Sequence, residues 1–455
     1  MAMSRPTVCS NTRCAAPGGS KLIKDVDMKS AARFLAVIVT ITATCRLGAA
    51  EQAETLRLEV AAPKADCLDV PLCAVIELPK SLADMPADQI AVTLRQTSPD
   101  SSRIYGNLTP GQLIKTSQGK AELWWVAPSL RKADGQTAWT AVMKRAEKPV
   151  KEVFSWQDNK GEYLDLLFDA RKVTRYMYAY DTSSPQRVFE TYKPFHHVFD
   201  AQGQNLLTNG PDGVQPYSKD KILYPHHRGI FIGWSRLEFT GSRYDFWGMG
   251  GGVSQVHQKF LEQIAGPVLA RSTALIHWND KNGEPIIAEQ RQTTVFRQSD
   301  PIRGGGLLEL RTELKAVRGD VELGGDPEHA GFQYRAHNDV ASGGSEVKAT
   351  YLFHNDGVDP KKDIDLPWAA MSYRLNNQQY CVLHMDHPSN PRPTIYSAYR
   401  DYGRFGAFFT HTIKSGETLK LCYRMWIVGG EMPSRQQCIS RYSAFVDCPQ
   451  VKVLD

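Results

Sequence analysis

Leu419, Leu421, Tyr423, Met425 and Ile427 alternate with Lys420, Cys422, Arg424 and Trp426. Apolar residues at every second position commit a segment to an extended strand with one face buried. The same period returns along the chain. Leu308, Leu310 and Leu314 alternate with Glu309, Arg311, Glu313 and Lys315, and Phe332 and Tyr334 oppose Gln333, Arg335 and His337. Tyr176, Tyr178 and Tyr180 share one face, with Met177 and Ala179 on the other. No long segment carries the 3.6-residue period of an amphipathic helix. The expected fold class is therefore all-β and antiparallel. Residues 51–150 read as a small immunoglobulin-like sandwich, in which Leu56, Leu58 and Val60 alternate with Arg57 and Glu59, and turn-rich stretches separate the strands. The charged run Lys144–Lys151 marks the boundary. Residues 151–455 read as a large two-sheet, supersandwich-like domain. Trp124, Trp125 and Trp139 in the small domain suit core packing better than a sugar-stacking platform.

Residues 1–50 read as a leader. Lys29 and Arg33 precede an apolar run, Phe34 to Cys45, and Gly48-Ala49-Ala50 resembles a cleavage site, with Met28 as the expected true start. A lipoprotein anchored at Cys45 is the competing reading. This segment carries seven Lys/Arg and two acids, and the remainder holds 47 of each sign. The net charge of +5 thus belongs to the leader, and the bulk gives no argument for a nucleic-acid partner. No apolar run of about 20 residues follows residue 50, so no integral membrane span is expected in the mature chain. The expected location is periplasmic or secreted. Six cysteines remain beyond the leader, and an even number in an exported chain suggests disulfides. Local closure favours Cys67–Cys73 and Cys438–Cys448, leaving Cys381–Cys422.

Most of the chemistry lies between residues 224 and 257. Tyr224-Pro225-His226-His227-Arg228-Gly229 is a turn running into an apolar strand, Ile230 to Trp234, and is followed by Asp245-Phe246-Trp247 and His257. A strand mouth can aim polar side chains at a ligand. Adjacent histidines on an extended chain point to opposite sides, so at most one faces a given pocket unless the turn redirects the other. Downstream, Glu289 and Arg291 share a strand face, and Asp386-His387 opens a proline-rich loop through Asn390, with Arg400 and Tyr402 close behind.

His226-His227-Arg228-Gly229, Asp245-Phe246-Trp247, Glu289-x-Arg291 and Asp386-His387-Pro388-Ser389-Asn390-Pro391-Arg392, in that order, resemble the bacterial PmoA-like family over residues 185–430. The resemblance implies an exported protein and groups these motifs into one site. It also implies that the second histidine pair, His196-His197, lies at a strand's polar end with one residue at most facing the pocket.

Three functions fit these residues. The first is acid–base catalysis on a sugar or oxidised glycoside, as epimerisation, elimination or hydrolysis. His227, Glu289 and His387 would transfer protons. Arg228, Trp234, Trp247, Arg291, His337, Asp386, Asn390 and Arg400 would hold a saccharide, with no cofactor. The second is a saccharide-binding module without turnover. The third is a divalent-metal hydrolase or oxygenase using His226 and His257. His329, His354, His384 and His411 read as structural or exposed. The chain holds no nucleophile elbow, phosphate loop or dinucleotide fingerprint.

Overall fold

The computed structural model describes residues 53–98, 104–117, 119–151, 153–215, 217–299 and 306–454. The leader expectations fall on residues 1–50, outside the described residues. As the alternation requires, the protein is all-β and built from antiparallel sheets. No helix among the described residues is long and apolar enough to cross a membrane.

Two eight-stranded sheets form the large sandwich. In the first, Ile395–Tyr396, Arg404–Phe408, Ala330–Arg335, Ile230–Trp234, Phe195–Val198 and Arg171–Met177 lie side by side, followed by two further strands. The second is centred on Pro285–Phe296, Gly306–Ala316 and Thr418–Gly429. Period two decides which side chains meet between them. Ile230, Ile232, Trp234, Phe332, Tyr334, Phe405 and Ala407 enter the shared core. Their neighbours Phe231, Gln333, Arg335 and Arg404 therefore point to the opposite, outer face of the first sheet.

That outer face is also buried. Met177, Phe195, Phe231 and Trp247 form a separate apolar cluster there. The helix Pro185–Thr191 and residues 199–215, 217–229 and 245–249 help to cover it. Gly233 is what lets the last segment lie against the sheet: a Cβ at this position would overlap the Phe246 carbonyl oxygen. Gly233→Ala is expected to lower stability by about 1–3 kcal/mol through forced displacement of that segment. A urea midpoint unchanged from wild type would show that the segment yields freely.

Strands between residues 54 and 145 make a seven-stranded sheet with Val451–Leu454, which pairs antiparallel to Glu54–Val60. Trp125 and Trp139 are buried in its core. Gln112 ties this unit to the large sandwich, its Oε1 accepting from the Val268 and Leu269 amides at 2.9 Å each. The helix Arg435–Val446 starts with a capping box at Ser434. Its Arg441 donates to Asp69 at 2.8 Å.

The expected disulfides do not form; Cys67, Cys73, Cys422, Cys438 and Cys448 are free thiols. Cys67 and Cys73 lie on one continuous strand, Cys67–Glu77. Six residues of strand span roughly 20 Å, whereas a bridge needs Cα atoms within about 7 Å. In the paired strands Gln378–Asp386 and Thr418–Gly429, Cys381 lies opposite Val428, and Cys422 lies near the far end, beyond Tyr423. Cys438 is buried within its helix, whereas the Cys448 thiol donates to the Pro71 carbonyl at 3.3 Å. Burial pushes the Cys73 and Cys422 thiols up to about 12, which leaves them protonated and unreactive at neutral pH.

Candidate functional site

The His226-His227 turn is held by backbone geometry. Tyr224 and Gly229 both adopt positive φ, and the His227 amide closes a turn onto the Tyr224 carbonyl at 2.9 Å. Asn209 clamps the strand mouth, donating its side-chain amide to the His227 carbonyl at 2.7 Å and accepting the Gly229 amide at its own carbonyl at 2.7 Å. The turn delivers His227 to the outer face of the first sheet. Its ring lies edge-on to Trp247 at 5.2 Å and parallel to Phe231 at 6.3 Å and Tyr402 at 6.3 Å.

His227 is only 3% exposed, and neither ring nitrogen has a hydrogen-bond partner. The Trp247 indole N–H and Arg335 Nε are likewise buried without a partner. Buried polar groups are normally bonded, so these atoms are notable together. Burial, then the neighbouring His226 and Arg404, hold His227 well below its ordinary titration range, so the ring is neutral at pH 7. His226, half-buried at the mouth, is lowered to about 3 by burial and Lys193.

Basic side chains surround this imidazole, and burial, then Arg228, holds the Lys193 amine well below its ordinary titration range. Lys193 is buried, donates to the Trp247 carbonyl at 2.8 Å and lies 4.4 Å from the Phe231 ring centroid. Arg335 and Arg404 sit directly opposite each other on adjacent strands, and both are buried. Arg404 donates to the Gln333 side chain at 3.0 Å, Ser397 at 2.9 Å and the Tyr402 hydroxyl at 3.1 Å, and its guanidinium carbon lies 5.6 Å from the Trp247 ring centroid. Arg335 donates to the carbonyls of Tyr402 and Leu223. Tyr224 is exposed, and Tyr402 and Arg400 are partly so, which makes these residues the rim. Arg400 pairs with Glu328, which also accepts the Tyr399 hydroxyl at 2.9 Å. Although burial pushes Glu328 up, Tyr399 and Arg400 hold its carboxyl below its ordinary value.

The structure thus brings together His226, His227 and Trp247, with Arg400 at the rim. The other expected site residues are elsewhere. Glu289 lies inside the sandwich, across the first sheet from His227. Its Oε1 accepts from Arg291 Nε and Thr312 Oγ1, each at 2.7 Å, and its Oε2 accepts from Trp278 Nε1 at 2.7 Å and Arg291 Nη2 at 2.9 Å. Arg291 also reaches the Pro194 carbonyl at 3.2 Å. The pair is a saturated internal ion pair. His387 makes its contacts away from His227, with Nδ1 on Ser389 Oγ at 2.7 Å and its ring edge-on to Phe445. Asp386 is consumed in a loop clasp, accepting from Asn390 and Arg392 at 2.6 Å each. Asn390 in turn donates to the Cys422 carbonyl at 2.8 Å.

Trp234 belongs to the sandwich core, its N–H on the Phe409 carbonyl at 3.1 Å. Arg228 turns away from the site and caps the carboxyl end of the helix Pro185–Thr191, donating to the Glu190 carbonyl at 3.0 Å and to that of Phe189 while stacking on Tyr192. His337 caps the short helix Asn338–Ser342. His257 contacts Tyr176, Tyr178 and Phe260 and shares no ring neighbour with His226. Among the described residues, no three His, Cys, Asp or Glu side chains converge in a metal-binding arrangement.

Sequence reasoning missed Lys193, Gln333, Arg335 and Arg404 as site residues. A signal existed for the last three, since each occupies the polar parity of an otherwise apolar or aromatic strand. Lys193 offered none beyond preceding Pro194-Phe195.

The molecule is an all-β protein whose large two-sheet sandwich carries a buried site rich in basic side chains on the outer face of one sheet. Residues 163–441 match the family described as "Family of unknown function (DUF6807)", and the chain belongs to that family. The matched span contains every motif named above from His226 to Arg392. No curated protein matches the chain. Among solved structures, similarity is found to the uncharacterized protein lmo2446 from Listeria monocytogenes EGD-e, in a complex with α-D-glucose, β-D-glucose, magnesium and calcium. The identity is 9% and the TM-score 0.15, covering 82% of this chain and 30% of that one. Another structure of the same protein gives 10% and 0.13 over the same shares. The chain spans under a third of that protein's length. These TM-scores are too low to define a shared fold.

Proposed function

We propose that the protein binds a sugar or sugar derivative at the His227 site and acts on it by acid–base chemistry. The observation that carries this reading is the buried, neutral His227 imidazole with both nitrogens unpartnered beside the unpartnered Trp247 N–H. A neutral imidazole accepts a proton, and a buried one without partners is held ready for a ligand's hydroxyl or C–H group. Lys193, Arg335 and Arg404 would stabilise negative charge developing on an adjacent oxygen, as preorganised cations do in a dry site. Ring contacts from Trp247, Tyr224 and Tyr402 suit a flat, oxygen-rich ligand. An exported location is part of the proposal, supported by the leader's apolar run.

The placement of Glu289 and His387 away from His227 favours a second reading, a saccharide-binding module without turnover. One experiment separates the two. Purified protein is screened for turnover of glycosides and their keto forms, and His227→Gln is compared with wild type. Catalysis predicts a loss of about 100-fold or more in rate with binding kept within a few-fold. Equal rates in the two proteins would remove His227 from the chemistry.

A further inference from the structure

Eight Lys and Arg side chains are buried among the described residues, and one of them, Arg228, is spent on the Phe189 and Glu190 carbonyls and the Tyr192 ring. Arg175, Arg291, Arg424 and Arg441 each pair with a buried carboxylate, namely Asp165, Glu289, Glu309 and Asp69. Lys193, Arg335 and Arg404 do not; among the described residues no carboxylate lies within ion-pair distance of them. All three are 1% exposed or less, and all three surround the same imidazole. Two of them are a like-charged pair directly across adjacent strands, an arrangement that destabilises a sheet. Glu328, the acid at the rim, is taken by Arg400 and Tyr399. Buried charge without a counter-ion is costly, and such local violations gather where a ligand completes the structure.

We propose that the missing counter-ion is the ligand itself, a sugar acid whose carboxylate is held by Lys193, Arg335 and Arg404 beside His227 and Trp247. The donors match that chemistry. Arg404 spends Nε and Nη1 on Tyr402, Gln333 and Ser397, and its Nη2 makes no hydrogen bond among the described residues. Arg335 Nε is unpartnered, and Lys193 carries three donors, of which one reaches Trp247. A carboxylate accepts several such bonds at once. A neutral hexose leaves the charge uncompensated. The inference rests on the saccharide reading above and names the class of saccharide.

The test compares D-glucuronate and D-galacturonate with D-glucose and D-galactose, and with inorganic phosphate, by calorimetry and thermal unfolding of the full chain at low salt. The uronates are expected to raise Tm and to bind at least about tenfold more tightly than their neutral partners, a difference of one charge-assisted contact. Arg404→Gln is expected to erase that preference. Lys193→Met supplies a readout that needs no ligand: it should raise the Tm of the unliganded protein by removing a buried amine that burial already drives well below its ordinary titration range, and weaken uronate binding. Equal affinity for uronates and neutral sugars, or a lowered Tm in both variants with the preference intact, overturns the inference. So does tighter binding of phosphate than of either uronate. Turnover of neutral sugars lost in His227→Gln would leave the proposed function standing while the sugar-acid assignment fell. Uronate binding that depends on Arg404, with no turnover of any sugar, would do the reverse.

Discussion

Lowering the pH from 7 toward 4 is expected to unfold the protein cooperatively. His196, His197 and His384 are buried structural residues. They are bonded to Thr293 at 3.2 Å, to Thr208 at 2.9 Å and Pro211 at 3.0 Å, and to Tyr396 at 3.0 Å, respectively. Burial lowers them to about 3, 4 and 3. In the unfolded chain each titrates near its ordinary value of about 6.5. Above that pH both states hold the rings neutral, and the stability they contribute is fully present. Below it the unfolded state binds protons that the folded state refuses, so stability falls until the folded values are reached. Each group costs about 1.4 kcal/mol per pH unit in that window. Three groups together cost roughly 8 kcal/mol by about pH 4.5, comparable to the whole stability of an ordinary domain. Asp386, raised by burial, works in the opposite direction as a single group. Circular dichroism across this range should show the transition, and His384→Leu should move its midpoint to lower pH. A native spectrum retained at pH 4 would contradict the account.

Glu289→Ala should be severely damaging, at about 3–5 kcal/mol, because it strands a buried guanidinium. Arg291 would keep only the Pro194 carbonyl at 3.2 Å, and Trp278 and Thr312 would lose their acceptor. Each buried donor left unmade adds to the cost. Guanidinium chloride unfolding measures the loss. Ligand binding by the fraction that remains folded should be unchanged, since the pair lies on the other side of the first sheet from His227. A Glu289→Ala protein as stable as wild type, with altered ligand affinity, would return this residue to the functional site.

Period two makes the strands legible and even their faces, since it places Gln333 and Arg335 on one side, where the structure has them. It does not say which side is the ligand's. In a sandwich both faces of a sheet can be buried, one by the facing sheet and one by covering loops. Glu289 and Arg291 do share one strand face two residues apart, but that face looks into the core. The helix Pro185–Thr191 and residues 199–215, 217–229 and 245–249, folded over the opposite face, create the site, and no local spacing announces where such segments land. The Asp386-to-Arg392 loop misleads for a related reason. Its residues have the polarity that catalysis uses, and they spend it on one another. The histidine turn is legible because positive-φ geometry at Gly229, beside two titratable rings, leaves a local mark. Lys193 and Arg404 become visible only when the acids nearest them in space, Asp245 and Glu328, can be seen to stand beyond ion-pair distance.

The pairing of Glu54–Val60 with Val451–Leu454 bears on how the chain is made. The two strands lie nearly 400 residues apart. At a synthesis rate of about 5–20 residues per second, the first waits roughly 20–80 s for its partner. For that interval one edge of the first-made sheet presents unpaired amides and carbonyls, the feature that invites pairing with other chains. Final closure of this unit therefore waits until Val451–Leu454 has been made, and a chaperone or an export channel that keeps the nascent segment extended would act on this edge.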